Sequence, residues 1–129
     1  MTPEPLPLLL IEDNPADLRL LTELLKEAAP GRFEVHSARR LAEGLDELRA
    51  RPYPIVLLDL SLPDASGLET IDAVRHVAPG TPLIVLSGLL DDELAARASE
   101  RGAAASFTKG EEMITGLIEA ISRFSFRSG

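Results

Sequence analysis

Two kinds of apolar pattern alternate along the chain. Short unbroken runs at Leu6–Ile11, Ile55–Leu58 and Leu83–Leu86 are rich in Leu, Ile and Val and too short for helices. Such runs predict strands covered on both faces. Phe33–Ser37 instead alternates, with Phe33 and Val35 set against Glu34 and His36, as a strand at a sheet edge does. A weaker run, Ala103–Thr108, leads to Lys109 and is the fifth predicted strand.

Helical spacing fills the intervals. Asn14 is a candidate cap with Pro15 at the first helical position, and Leu18, Leu21, Leu25 and Ala28 follow until Pro30–Gly31. Leu41, Leu45 and Leu48 mark a second helix, capped near Ser37 and ending before Pro52. Leu68, Ile71 and Val74 mark a third, stopped by Pro79–Gly80. Asp91–Arg101 is a fourth, acidic in its first turn, with Arg97 and Arg101 late; its thin apolar face, mostly Ala with Leu94, predicts loose attachment. Ile114, Leu117, Ile118 and Ile121 define a fifth, and Ser122–Gly129 reads as a fraying tail. Five strands alternating with five helices predict an α/β fold, a doubly wound parallel sheet with helices on both faces.

Composition narrows the class. A chain of 129 residues predicts one domain, 1–129, with its core at about 6–122 between a short lead and tail. There is no cysteine, so neither disulfides nor thiolate metal sites are available. The formal net charge of −8 disfavours direct contact with nucleic acid or anionic lipid. No apolar run approaches the roughly 20 residues of a membrane span. The opening residues lack a basic segment of the secretory kind, so a cytoplasmic location is expected.

Each inner strand ends on a polar group: Glu12–Asp13, Asp59, Ser87 and Lys109 in turn. In an open parallel sheet those ends share one rim, where ligands bind. Taken singly, each residue could equally be a cap, a strand end or a solvated lysine. Together they converge three carboxylates, a hydroxyl and an ammonium. Clustered carboxylates raise one another's pKa unless a cation lies among them. An all-oxygen donor set selects a hard cation such as Mg²⁺, and Mg²⁺ with a carboxylate nucleophile is suited to phosphoryl transfer.

The same residues resemble a known family. LLLIEDN with Glu12–Asp13, LLDLSLPDASGLE with Asp59, Pro63 and Gly67, VLSG with Ser87 and FTKG with Lys109 resemble, in order and spacing, the response-regulator receiver domains of two-component signalling. The resemblance implies a flavodoxin-like (βα)₅ fold of strand order 2-1-3-4-5, with Asp59 as phospho-acceptor. It implies Mg²⁺ held directly by Asp13 and Asp59, through water by Glu12, and by the backbone carbonyl of Ser61. Ser87 and Lys109 would contact the phosphoryl group. A sensor histidine kinase or histidine phosphotransfer protein would supply it, and a downstream protein partner or output domain would read it. A homodimer through the fourth helix, fifth strand and fifth helix is also implied. Such a domain is a signalling module, catalysing only its own phosphorylation and slow dephosphorylation.

Two positions depart from the family. Gly110 replaces the usual proline after the lysine, and Ser106 replaces the usual aromatic on the last strand, with Phe107 one residue later. Regular pairing predicts Phe107 in the core and Ser106 towards the fourth helix. His36 and His76 read as solvated or satisfied imidazoles. The alternative function is a Mg²⁺-dependent aspartyl-phosphate phosphatase of the haloacid dehalogenase type, although that family's D-x-D motif is replaced here by Glu12–Asp13–Asn14. Nucleotide binding is disfavoured because neither G-x-G-x-x-G nor G-x-x-x-x-G-K-[ST] occurs.

Overall fold

The computed structural model describes residues 4–125. Five parallel strands, β1 (Leu6–Ile11), β2 (Phe33–Ala38), β3 (Val56–Asp59), β4 (Leu83–Ser87) and β5 (Ala105–Thr108), form one sheet in the order β2-β1-β3-β4-β5. The helices are α1 (Pro15–Ala28), α2 (Leu41–Ala50), α3 (Glu69–Val77), α4 (Asp92–Glu100) and α5 (Ile114–Phe124), with a short 3₁₀ turn at Glu111–Met113. Strand order reverses between β1 and β3. Crossovers of one hand therefore put α1 on one face and α2, α3 and α4 on the other, while α5 returns beside α1.

The period of two along each strand supplies both faces. Leu8, Leu10, Ile55, Leu57, Ile84 and Leu86 are buried against Leu21 and Leu25 of α1 and Leu117 and Ile121 of α5. Leu9, Ile11, Val56, Leu58, Leu83 and Val85 are buried against Leu41 and Leu48, Ile71 and Val74, and Ala98. The runs of unbroken apolar residues are thus two interleaved faces, and β2, at the edge, carries the alternating pattern. Gly44 lets α2 lie close on β1, because an added Cβ would collide with Ile11 Cδ1 and stand 2.8 Å from Cγ1.

Three expectations need correction. The second helix is not capped near Ser37, which lies within β2. Its N-terminal residue Arg40 makes no side-chain cap; Asp64, across the loop after β3, accepts from Leu41 N at 2.8 Å and Ala42 N at 3.0 Å. The fifth strand starts at Ala105 rather than Ala103, because Ala103 closes α4. Its N–H donates to the Ala98 carbonyl at 3.0 Å, past Gly102 at φ +107°. The chain does not fray at Ser122. The last helix runs to Phe124, which packs on the inner core, and Ser122 Oγ accepts from Arg32 Nη2 at 2.9 Å. The rest of the expected tail, 126–129, lies outside the described residues.

The pairing of β4 with β5 is unbroken, Val85 opposite Ser106 and Leu86 opposite Phe107. Phe107 therefore packs with the α1 and α5 layer, its ring fitted beside Gly116, and Ser106 takes the α4 face, as the register predicts. Helix α4 is thinly packed, with Ala98 its one buried residue among those described, yet its C-terminal end is held. Arg101 Nη1 lies 2.5 Å from Asp72 Oδ2 of α3, and Gly102 packs against the Arg75 side chain.

Candidate functional site at the strand C-termini

The C-terminal ends of β1, β3, β4 and β5 bring Glu12, Asp59, Ser87 and Lys109 to one rim, beside the β1–β3 reversal. Asp59 is the last residue of β3 and Glu12 follows β1; both are buried at 3% exposure, unusual for unpaired carboxylates. Lys109 supplies the pairing charge. Its Nζ lies 2.6 Å from Glu12 Oε2 and 3.2 Å from Asp59 Oδ2. The lysine backbone is fixed by its N–H donating to the Ser87 carbonyl at 2.9 Å, which continues the sheet one residue past β5.

Backbone donors orient the remaining carboxylate oxygens. Asn14 N–H donates to Glu12 Oε1 at 3.1 Å, and Ser61 N–H donates to Asp59 Oδ1 at 3.1 Å. The loop after Asp59 is held by a bridge between Ser61 and Ser66, and its Gly67 sits at φ +77° where a side chain would be strained. Asp64 ties the same loop to the start of α2. The loop carrying Ser61 is thus fastened at both ends, by sheet and by helix.

Glu12, Asp13 and Asp59 each offer a carboxylate oxygen, and these lie within 4.8 Å of one another. One ammonium touches two of the three acids, so negative charge is in excess. Burial pushes the Glu12 carboxyl up to about 7; the Lys109 hydrogen bond opposes this and the Asp59 charge adds to it. Burial likewise works against the charge on Lys109, but the Glu12 hydrogen bond and the charges of Asp59 and Glu12 together outweigh it and raise its pKa. A partly buried, all-oxygen set with surplus negative charge fits a hard divalent cation.

Ser87 stands at the rim but does not touch the acids; its Oγ donates to the Leu89 carbonyl at 3.1 Å. Two residues that the sequence reading did not single out also bear on the site. Asp17, in the first turn of α1, places Oδ2 3.2 Å from Lys109 Nζ, and Asp64 caps α2. Asp17 was legible in part, since it lies in the first turn after the Asn14 cap and so close to the end of β1. Asp64 left no such trace, because its partners are 22 and 23 residues away. His36 packs edge-to-face on Tyr53 and its Nε2 lies 2.9 Å from Glu34 Oε1, while His76 lies in the last turn of α3; both are away from the rim.

Residues 8–121 match the model of the response regulator receiver domain. The chain belongs to that family. The receiver is 35% identical over 119 residues to the cell cycle response regulator CtrA of Brucella ovis, a match covering 91% of this chain and 50% of that protein. It thus spans about half the length of the curated relatives it matches. Among solved structures, the phosphorylated cyanobacterial phytochrome response regulator RcpA superposes with TM-score 0.76 at 25% identity, covering 94% of each chain. A Burkholderia pseudomallei response regulator with a phosphorylated aspartic acid, calcium ion and citrate superposes with TM-score 0.75 at 24% identity, covering 90% of this receiver and 66% of that chain. The receiver fold and strand order expected from the sequence are those observed, and membership of this family sets the haloacid dehalogenase alternative aside. Receivers are signalling modules of two-component systems.

Proposed function

We propose that this receiver accepts a phosphoryl group on Asp59 from a sensor histidine kinase or a histidine phosphotransfer protein, with Mg²⁺ as the cation. The observation that carries the reading is the burial of Asp59 within 3.2 Å of Lys109 Nζ and beside two further carboxylates. A carboxylate oxygen of Asp59 attacks phosphorus; the O–P bond forms, the N–P bond of the phosphohistidine breaks, and the imidazole nitrogen leaves with the electron pair. A carboxylate nucleophile has no proton that must be removed for attack, so the step needs no general base. Mg²⁺ supplies neutralisation of phosphoryl charge when bound. Asp13 and Asp59 would hold it directly, Glu12 through water, and the Ser61 carbonyl as a further ligand.

Lys109 offers an N–H to a phosphoryl oxygen, and Ser87 offers its hydroxyl after leaving the Leu89 carbonyl. The product is a signal rather than a turnover product: the protein catalyses its own phosphorylation and slow dephosphorylation, and the acyl phosphate alters binding of a downstream protein partner or output domain. Residues 8–121 act as one receiver unit, its exposed α4, β5 and α5 face also available to a second copy. The net charge of −8 on the 129-residue chain disfavours its direct contact with nucleic acid. No described helix is long and apolar enough to cross a membrane. A cytoplasmic location is part of the proposal, in keeping with the proposed phosphoryl donors. Intact mass after incubation with acetyl phosphate and Mg²⁺ tests the reading: one phosphate is gained by the native protein and none by Asp59→Asn. A gain by Asp59→Asn at the native rate overturns it.

A further inference from the structure

We propose that Asp17 is a positioning residue for Lys109, holding its ammonium on the rim while the other carboxylates are engaged; the proposal rests on the phosphoryl-transfer reading above. A lysine ammonium has three N–H donors. The three oxygens around Nζ here are Glu12 Oε2 at 2.6 Å, Asp17 Oδ2 at 3.2 Å and Asp59 Oδ2 at 3.2 Å. Two of these belong to the carboxylates that would hold the cation. Asp17 does not belong to that group, and its side chain is 40% exposed on α1.

That difference gives Asp17 a separate task. A divalent cation among Glu12, Asp13 and Asp59 draws on the same oxygen charge that holds Lys109, and it repels the ammonium. Of the three contacts, the one to Asp17 is the least affected by both. A phosphoryl oxygen approaching Lys109 also requires one N–H to change acceptor, and the contact to Asp59 is the one at the reacting carboxylate. Asp17 then keeps Nζ in reach during the exchange. Both ends of the link are themselves fixed. The Asn14 side chain accepts from Ala16 N at 2.9 Å and Asp17 N at 3.1 Å, pinning the first turn of α1, and the Lys109 backbone is bonded to Ser87. The Asp17 carboxylate also favours the helix N-terminus electrostatically, a structural role the test must separate.

A double-mutant cycle makes the separation, using the whole chain with acetyl phosphate as donor and saturating Mg²⁺. The rate of phosphate gain is read by intact mass for the native protein, Asp17→Asn, Lys109→Gln and the double variant, and thermal unfolding is recorded for all four. In the native background Asp17→Asn slows phosphorylation about 5-fold, the scale of a half-exposed ion pair. In the Lys109→Gln background the same substitution changes the rate by less than about 1.5-fold, because there is no ammonium to position. Equal slowing in both backgrounds, no slowing, or acceleration in the native background overturns the proposal, whatever the unfolding midpoints. A native protein that gains no phosphate overturns the phosphoryl-transfer reading itself and this inference with it.

Discussion

Replacing Asp64 by Ala removes the cap of a helix 22 residues away in sequence, and its cost follows from the structure. Two backbone donors at the start of α2, Leu41 N and Ala42 N, lose their acceptor, and Arg40 offers no replacement. Loss of an N-terminal side-chain cap costs about 1 kcal/mol, and loss of a carboxylate from a helix N-terminus adds about 0.5 kcal/mol at an exposed site. The sum, about 1.5 kcal/mol, lowers the urea midpoint by roughly 0.7 M for an m-value near 2 kcal/mol/M. The pH dependence has a definite sign. The Ala42 and Leu41 amides hold the Asp64 carboxyl below its ordinary value, so its contribution is present above the unfolded-state pKa and is lost as pH falls through the folded one. Urea unfolding of both proteins at pH 7 and near pH 2.5 tests this. The gap should be full at neutral pH and narrow in acid. Equal midpoints at pH 7 would refute the cap, and a gap of constant size across both conditions would refute its ionic character.

Other consequences can be measured on the same protein. Because burial pushes Glu12 up to about 7, cation binding must displace its proton, so calorimetric Mg²⁺ affinity should rise between pH 6 and 8; a flat profile there would count against Glu12 as a participant. Asp13→Ala should weaken Mg²⁺ more than Glu12→Ala, and the reverse order would contradict the proposed direct and water-mediated contacts. Gly44→Ala gains helix propensity worth about 1 kcal/mol but overlaps Ile11, at a cost of about 1–3 kcal/mol, so urea unfolding should show net destabilisation. Leu89 is 88% exposed at the rim and has no polar group, so Leu89→Gln should speed loss of the acyl phosphate by supplying a group that orients water. An unchanged decay rate would refute that role.

Much of this molecule was decided locally. Unbroken apolar runs separated by helical spacing require a buried parallel sheet, because only strands covered on both faces bury Leu8 and Leu9, or Leu57 and Leu58, at once. A parallel sheet then brings the polar residues after successive strands to one rim, so Glu12, Asp13, Asp59, Ser87 and Lys109 were legible as a group before any distance was known. The side chains' partners were not. That Lys109 bonds Glu12 and Asp17 as well as Asp59, that Ser87 turns to the Leu89 carbonyl, and that Asp64 rather than a local residue caps α2 depend on how loops from distant strands stack. The ends of elements moved for the same reason. Ala103 closes a helix instead of opening a strand, and Ser122 to Phe124 stay helical because Phe124 finds the inner core. Residue type and spacing determine which groups reach the rim, since pleat and helix periods are properties of the chain itself. Which of those groups touch is settled by packing between elements, where contacts of one hydrogen bond's length join residues as far apart in the chain as Glu12 and Lys109.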